Sequence, residues 1–110
     1  DRLFHTRIAE ASDNSVLLRV VSELFDERHN PLFEQLGSHF ENARSWAIAI
    51  EEHQAVLDAI ARQDPAAARE AMVRHLANSH DRFMASWPAE GEAPARTPGK
   101  PAARKRKATA

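Results

Sequence analysis

The sequence predicts an all-α fold: an antiparallel bundle of three or four helices over residues 1–87, followed by a disordered basic tail over residues 88–110. Three observations predict it. Apolar residues recur at three- and four-residue spacing along the first 87 positions, as on helix faces. No segment alternates apolar and polar residues with period two, as a half-buried strand requires. Glycine is scarce, with three in 110 residues, and two of them (Gly91 and Gly99) fall in the tail.

Each element follows from its residues. Leu3, Phe4, Ile8 and Ala11 form a short amphipathic set, interrupted at Ser12-Asp13-Asn14, three good capping residues. Val16, Leu17, Val20, Val21, Leu24 and Phe25 then mark a clear helix face. His29-Asn30-Pro31 ends or kinks it, because the residue before a proline avoids the α region. Residues 31–37 are ambiguous, with room for one helical turn or two. Ser38 and Glu41 have the spacing of a capping box, ahead of a helix whose apolar stripe is Trp46, Ile50, Leu57 and Ile60. Asp64-Pro65 is a start signal, an Asp N-cap with Pro in the first turn. The last helix runs through Met72, Leu76 and Phe83 toward Trp87, and Pro88 stops it.

Composition narrows the function. Cysteine is absent, which excludes disulfides, thiolate-held zinc, iron–sulfur clusters and thiol catalysis together. No apolar run approaches the roughly 18–20 residues that a membrane span needs. Asp1-Arg2 leads into helix-like sequence and not into a signal peptide, so the expected compartment is the cytoplasm. The net charge of −1 is a compensation: residues 1–87 hold 9 Arg and 14 Asp/Glu (9 − 14 = −5), and residues 88–110 hold 6 Lys/Arg and 2 Glu (6 − 2 = +4). Four of the six prolines also lie in the tail, which lacks the apolar surface to offset its ordering entropy. An 87-residue bundle rarely keeps more than ~3–5 kcal/mol of net stability, so a metal or a partner subunit is a common supplement.

The six histidines carry the chemistry. Asp1 and His5 are four apart and stack on one helix face. His53 falls in the stripe Trp46, Ile50, His53, Leu57, Ile60, where an apolar residue is expected. His75 lies beside Met72, Leu76 and Ser79 on the inward side of the last helix. His29, at a helix end, His39, in a loop, and His80, less inward, are set aside. Three imidazole nitrogens and one carboxylate oxygen suit a borderline divalent cation: Zn²⁺ first, with Ni²⁺, Co²⁺ or Mn²⁺ as alternatives. Four protein ligands close a tetrahedral site, and an expanded sphere admits water or a ligand's carboxylate. Against this stands the plain reading, in which His53 and His75 are hydrogen-bonded core residues and Asp1–His5 is a surface pair. Burying two His and an Asp together without a cation is costly, which favours the metal.

The same residues resemble a known family. Asp1-Arg2-Leu3-Phe4-His5 followed by Ile8-Ala9-Glu10-Ala11-Ser12-Asp13-Asn14 is similar to the D-x-x-F-H…A-S-x-N segment of the FCD domain. That domain is the C-terminal, effector-binding part of FadR-subfamily GntR transcription factors. The second half carries its pattern too: Glu52-His53, Leu57-Asp58-Ala59-Ile60, Asp64, Ala67-Ala68-Arg69-Glu70-Ala71-Met72 and His75-Leu76. The likeness covers nearly all of residues 1–87. It implies an antiparallel bundle that dimerises and governs a winged helix–turn–helix domain on its N-terminal side. It further implies a divalent metal held by one Asp and three His, which carry over as Asp1, His5, His53 and His75, and a small organic acid whose carboxylate completes the sphere. Asn14 and Asn78 are then polar neighbours of the effector, with a helix cap and a solvated side chain as their alternatives. Arg28-x-x-Pro31 and the Trp46-to-His53 spacing resemble the uronate- and pyruvate-type regulators, which points to a sugar acid.

Two departures from the pattern bear on this. The chain begins at the first ligand, whereas the family's domain starts one or more helices earlier, and those helices commonly supply an Arg for the effector and part of the dimer surface. The winged-helix domain is also absent, so this chain by itself is not expected to read a DNA sequence. The run Arg104-Lys105-Arg106-Lys107 has the composition of a non-specific nucleic-acid arm, or of a solvated tail. Two rival functions remain, a metal-free helical interaction module and a metal-dependent hydrolase. The hydrolase is disfavoured: there is no H-E-x-x-H, and Glu52 projects about 100° away from its neighbour His53 on a helix. The expected function is therefore non-enzymatic sensing.

Overall fold

A computed structural model describes residues 1–87. The run Arg104, Lys105, Arg106, Lys107, and the disorder expected for the tail, lie outside the described residues. Five helices follow one another: α1 (Arg2–Ala11), α2 (Ser15–Asp26), α3 (Pro31–Phe40), α4 (Ala43–Ala61) and α5 (Pro65–Ser86), with a 3₁₀ turn at Glu27–His29 between α2 and α3. Among the described residues there is no strand, and no helix is long and apolar enough to cross a membrane.

Side-chain caps set the boundaries. Asn14 accepts from the backbone N–H groups of Val16 and Leu17 at 3.1 Å each, and Asp13 turns the chain there in the left-handed region at φ 55°. Asn30 caps α3 through the Leu32 N–H, with Pro31 at the first helical position, where its missing N–H costs nothing. Asp64 accepts from the Ala67 N–H ahead of Pro65 and α5. One cap differs from expectation. Ser38 and Glu41 do not open the long helix; Ser38 lies inside α3, where its hydroxyl donates to the Gln35 carbonyl. The reciprocal box is formed by Asn42 and Ser45, each side chain accepting from the other's backbone N–H. α3 therefore runs past residue 37 to Phe40, and His39 sits in its last turn and not in a loop.

The most extensive helix pairing is α4 with α5, and the next is α1 with α2. The core is small and made of small side chains: Ala9, Val56, Ala59 and Ala71, together with Thr6 and His75. Alanines let α4 and α5 approach closely. α4 is consequently rotated from the orientation its large residues suggest. Its inner side is Ile48, Ala49, Glu52, His53, Val56 and Ala59, while Ile50, Leu57 and Ile60 are exposed at 63%, 44% and 46%. Leu76, expected on the inward side of α5, is likewise exposed, whereas its neighbour His75 is 3% exposed.

Candidate metal centre

Three helices bring Asp1, His5, His53 and His75 together, each offering one ligand atom, with all four atoms within 4.8 Å of one another. Asp1 is the N-cap of α1, yet its side chain caps nothing. Its Oδ1 stands 3.4 Å from His5 Nε2 and 3.4 Å from His53 Nε2, and its Oδ2 accepts from the Arg28 guanidinium at 2.6 Å. His75 Nε2, from α5, is 3.2 Å from His53 Nε2 and 3.3 Å from His5 Nε2. Four donor separations thus fall between 3.2 and 3.4 Å. Three imidazole nitrogens and a carboxylate that converge in this way are a donor set for a borderline divalent ion.

The surroundings of His5 and His53 favour their neutral imidazoles. Phe4 stacks on His53 with ring centres 3.9 Å apart, and Phe25 lies against His5 at 5.2 Å. Burial pushes the His53 pKa down to about 4, with the neighbouring His75 and His5 adding to the shift. His5 is lowered too, first by burial and then by the positive charge of Arg28. A neutral imidazole keeps the lone pair that a cation needs.

Three functional side chains escaped the sequence reading in their site roles. Arg28, noted there only as a branch marker, grips Asp1 and lies over the Phe25 ring at 4.7 Å. Glu52 turns away from His53 as the helix geometry requires, and that direction aims it at α5. Its Oε2 takes the His75 Nδ1–H at 2.7 Å, and Arg82 donates to both carboxylate oxygens at 2.8 and 2.9 Å. The Arg82 hydrogen bonds, with those from His75 and Asn78, hold the Glu52 carboxyl down at about 2, and Glu52 in turn raises Arg82. The signal for Glu52 and Arg82 is tertiary, since it depends on how α4 and α5 align.

A cavity of about 590 Å³ opens beside the cluster. Asp1, His5 and His75 reach it, Leu17, Val21, Phe25, Trp46 and Met72 wall it, and Arg28, Ser45, Ser79 and Arg82 give it polar groups. Its size is that of a small-molecule pocket. Asn14 and Asn78 are not among its walls: Asn14 is spent on the α2 cap, and Asn78 Nδ2 donates to Glu52 Oε1 at 2.9 Å.

The sequence is similar to those of known regulators. The FCD domain profile matches residues 1–78. The Exu regulon transcriptional regulator of Escherichia coli K12 is 35% identical over 82 residues, covering 72% of this chain and 31% of that protein. The Uxu operon transcriptional regulator of the same strain is 34% identical over 85 residues, covering 76% and 33%. Its putative L-lactate dehydrogenase operon regulatory protein is 38% identical over 80 residues, covering 73% and 31%. The chain thus spans about a third of the length of these relatives. No solved structure matches it. All three relatives are named as regulators, which speaks against the hydrolase alternative. The chain belongs to the FCD domain family of GntR-type transcriptional regulators.

Proposed function

We propose that this chain is the sensing part of a GntR/FadR-type regulator, one that binds a small organic acid at a buried divalent metal. The observation that carries the reading is the convergence of Asp1, His5, His53 and His75 on one point beside a cavity. A divalent ion held there, Zn²⁺ by the preference of the donor set, supplies a Lewis acid to which a carboxylate binds. The apolar walls exclude water around the rest of the effector, and Arg28, Ser45 and Ser79 are the polar groups available to orient it. With Asn14 and Asn78 engaged elsewhere, these three take over the polar contacts first assigned to that pair. A sugar acid or a short 2-hydroxy acid matches this mix of one carboxylate and several hydroxyls. The name of the L-lactate dehydrogenase operon relative supports the same chemical class.

Signalling in this reading is a population shift. The effector binds one arrangement of the bundle better than another and so biases how paired N-terminal DNA-binding domains are held. Pairing is supported by the apolar side chains left exposed on α2, α4 and α5, Val20, Leu24, Ile50, Leu57 and Val73 among them. A melting-shift screen of lactate, uronates and citrate, each with Zn²⁺ and with chelator, tests the reading. A carboxylate effector raises the melting temperature only with Zn²⁺ present, and its neutral amide or alcohol analogue does not. An equal shift in chelator contradicts a metal-anchored effector.

A further inference from the structure

Two carboxylates stand at the centre, and their geometry differs. Asp1 aims an oxygen at the histidine cluster. Glu52 aims both of its oxygens away from it, at α5. Oε1 accepts from Arg82 and from Asn78 at 2.8 and 2.9 Å, and Oε2 accepts from Arg82 and from His75 Nδ1 at 2.9 and 2.7 Å. A carboxylate offers about four lone-pair positions, so this one is fully used and has none left for a cation. The three α5 donors lie at i, i+3 and i+7 of one helix stripe, which is why a single α4 side chain reaches them all.

That saturation has a consequence for His75. A carboxylate locked between a guanidinium and an amide only accepts, so the proton of the 2.7 Å contact sits on His75 Nδ1. A neutral imidazole has one N–H, and the Nε2 lone pair is then free to face His5 and His53. The opposite tautomer sets two lone pairs against each other at 2.7 Å and directs an N–H into the ligand cluster. We infer that Glu52, clamped by Arg82 and Asn78, is a positioning residue of the metal centre, fixing the tautomer and ring direction of His75. An acceptor behind a ligating imidazole commonly fixes its tautomer and contributes 10–100-fold to metal affinity. The inference rests on the metal reading above.

Glu52→Gln is the direct probe, because either way the amide turns, its NH₂ meets an Arg82 N–H. Two readouts are taken on the 110-residue chain: the His75 tautomer in metal-free protein, from ¹⁵N-histidine NMR, and the Zn²⁺ dissociation constant, by competition with a chromophoric chelator. Wild type holds His75 as the Nδ1–H tautomer; E52Q mixes the tautomers and weakens Zn²⁺ binding about 10–100-fold. If E52Q does not fold, Arg82→Lys keeps the charge, loses the two-pronged grip, and shows the same changes several-fold smaller. His75 carrying Nε2–H in wild type overturns the inference. So does Zn²⁺ affinity unchanged in E52Q, or in R82K where that variant is used. A wild type that binds no Zn²⁺ removes the metal reading itself, and the role of Glu52 with it, which separates the two failures.

Discussion

His53 is where the opposing forces at the site meet. Its ring packs on Phe4, its Nε2 touches both Asp1 and His75, and burial holds its pKa near 4 instead of the ordinary 6.5. Between those values the unfolded chain binds a proton that the folded one refuses, so folded-state stability declines as pH falls. Metal-free protein is therefore expected to keep this contribution above pH 6.5 and lose it progressively toward pH 4, with His5 acting in the same direction. Thermal melts in chelator from pH 7.5 to 4 check this, and a flat profile contradicts it. His53→Ala is expected to leave the melting temperature in chelator little changed while abolishing the rise that Zn²⁺ gives wild type. That rise corresponds to about 2.7 kcal/mol at a hundredfold excess over the dissociation constant. Equal destabilisation with and without Zn²⁺ instead favours an ordinary core histidine. The four candidate ligands were legible in the sequence because polar residues on helix-facing positions stand out against an apolar pattern. Glu52 and Arg82 were not, since a charged residue on a helix looks solvated until its partner helix is in place.

At the scale of the element, α4 decides the site, because it carries both His53 and Glu52. The reciprocal Asn42–Ser45 cap fixes where it starts, and Asn42→Ala is expected to cost about 1 kcal/mol. In a domain of this size that lowers the melting temperature by roughly 4–8 °C. Removing Arg82 strands a carboxylate that is only 15% exposed, and Arg82→Ala is expected to cost about 1–3 kcal/mol in chelator melts. A loss below 0.5 kcal/mol there contradicts the clamp described for α4 and α5. The rotation of α4 has a simple cause. Trp46, Ile50, Leu57 and Ile60 dominate its periodicity by size, but Ala49, Val56 and Ala59 allow the closer approach to α5. The two stripes lie about 100° apart, and His53 borders both, so it stands out in the sequence from either face. Likewise, Asn-x-x-Ser at Asn42 is a weaker written signal than Ser38-x-x-Glu41, and only the folded chain distinguishes them.

For the whole molecule, the balance of buried and exposed side chains is unusual. Among the described residues, Ala9, Val56, Ala59 and Ala71 make the buried apolar core, while fifteen large apolar side chains are exposed. The helical class and the starts of α2 and α5 follow from sequence pattern, but periodicity reports only that a face is apolar and not what covers it. Part of this surface, Leu17, Leu24, Trp46 and Leu76, lines the cavity, and the rest is of the kind that marks an association face. The chain is expected to sediment as a dimer or larger species, and Ile50→Glu with Leu57→Glu to shift it toward monomer while the helical circular-dichroism spectrum is kept, since both residues are exposed on the single chain. A monomeric wild type contradicts pairing through this part of the regulator. Sensing in this domain depends above all on the metal. Its most direct test is metal content by plasma mass spectrometry on untagged protein purified without chelator, for wild type and His75→Ala. Close to one equivalent of a divalent metal in wild type and almost none in the variant is the predicted result. Metal-free wild type that still folds as a helical bundle contradicts the account and leaves a bundle with a core of ordinary histidines.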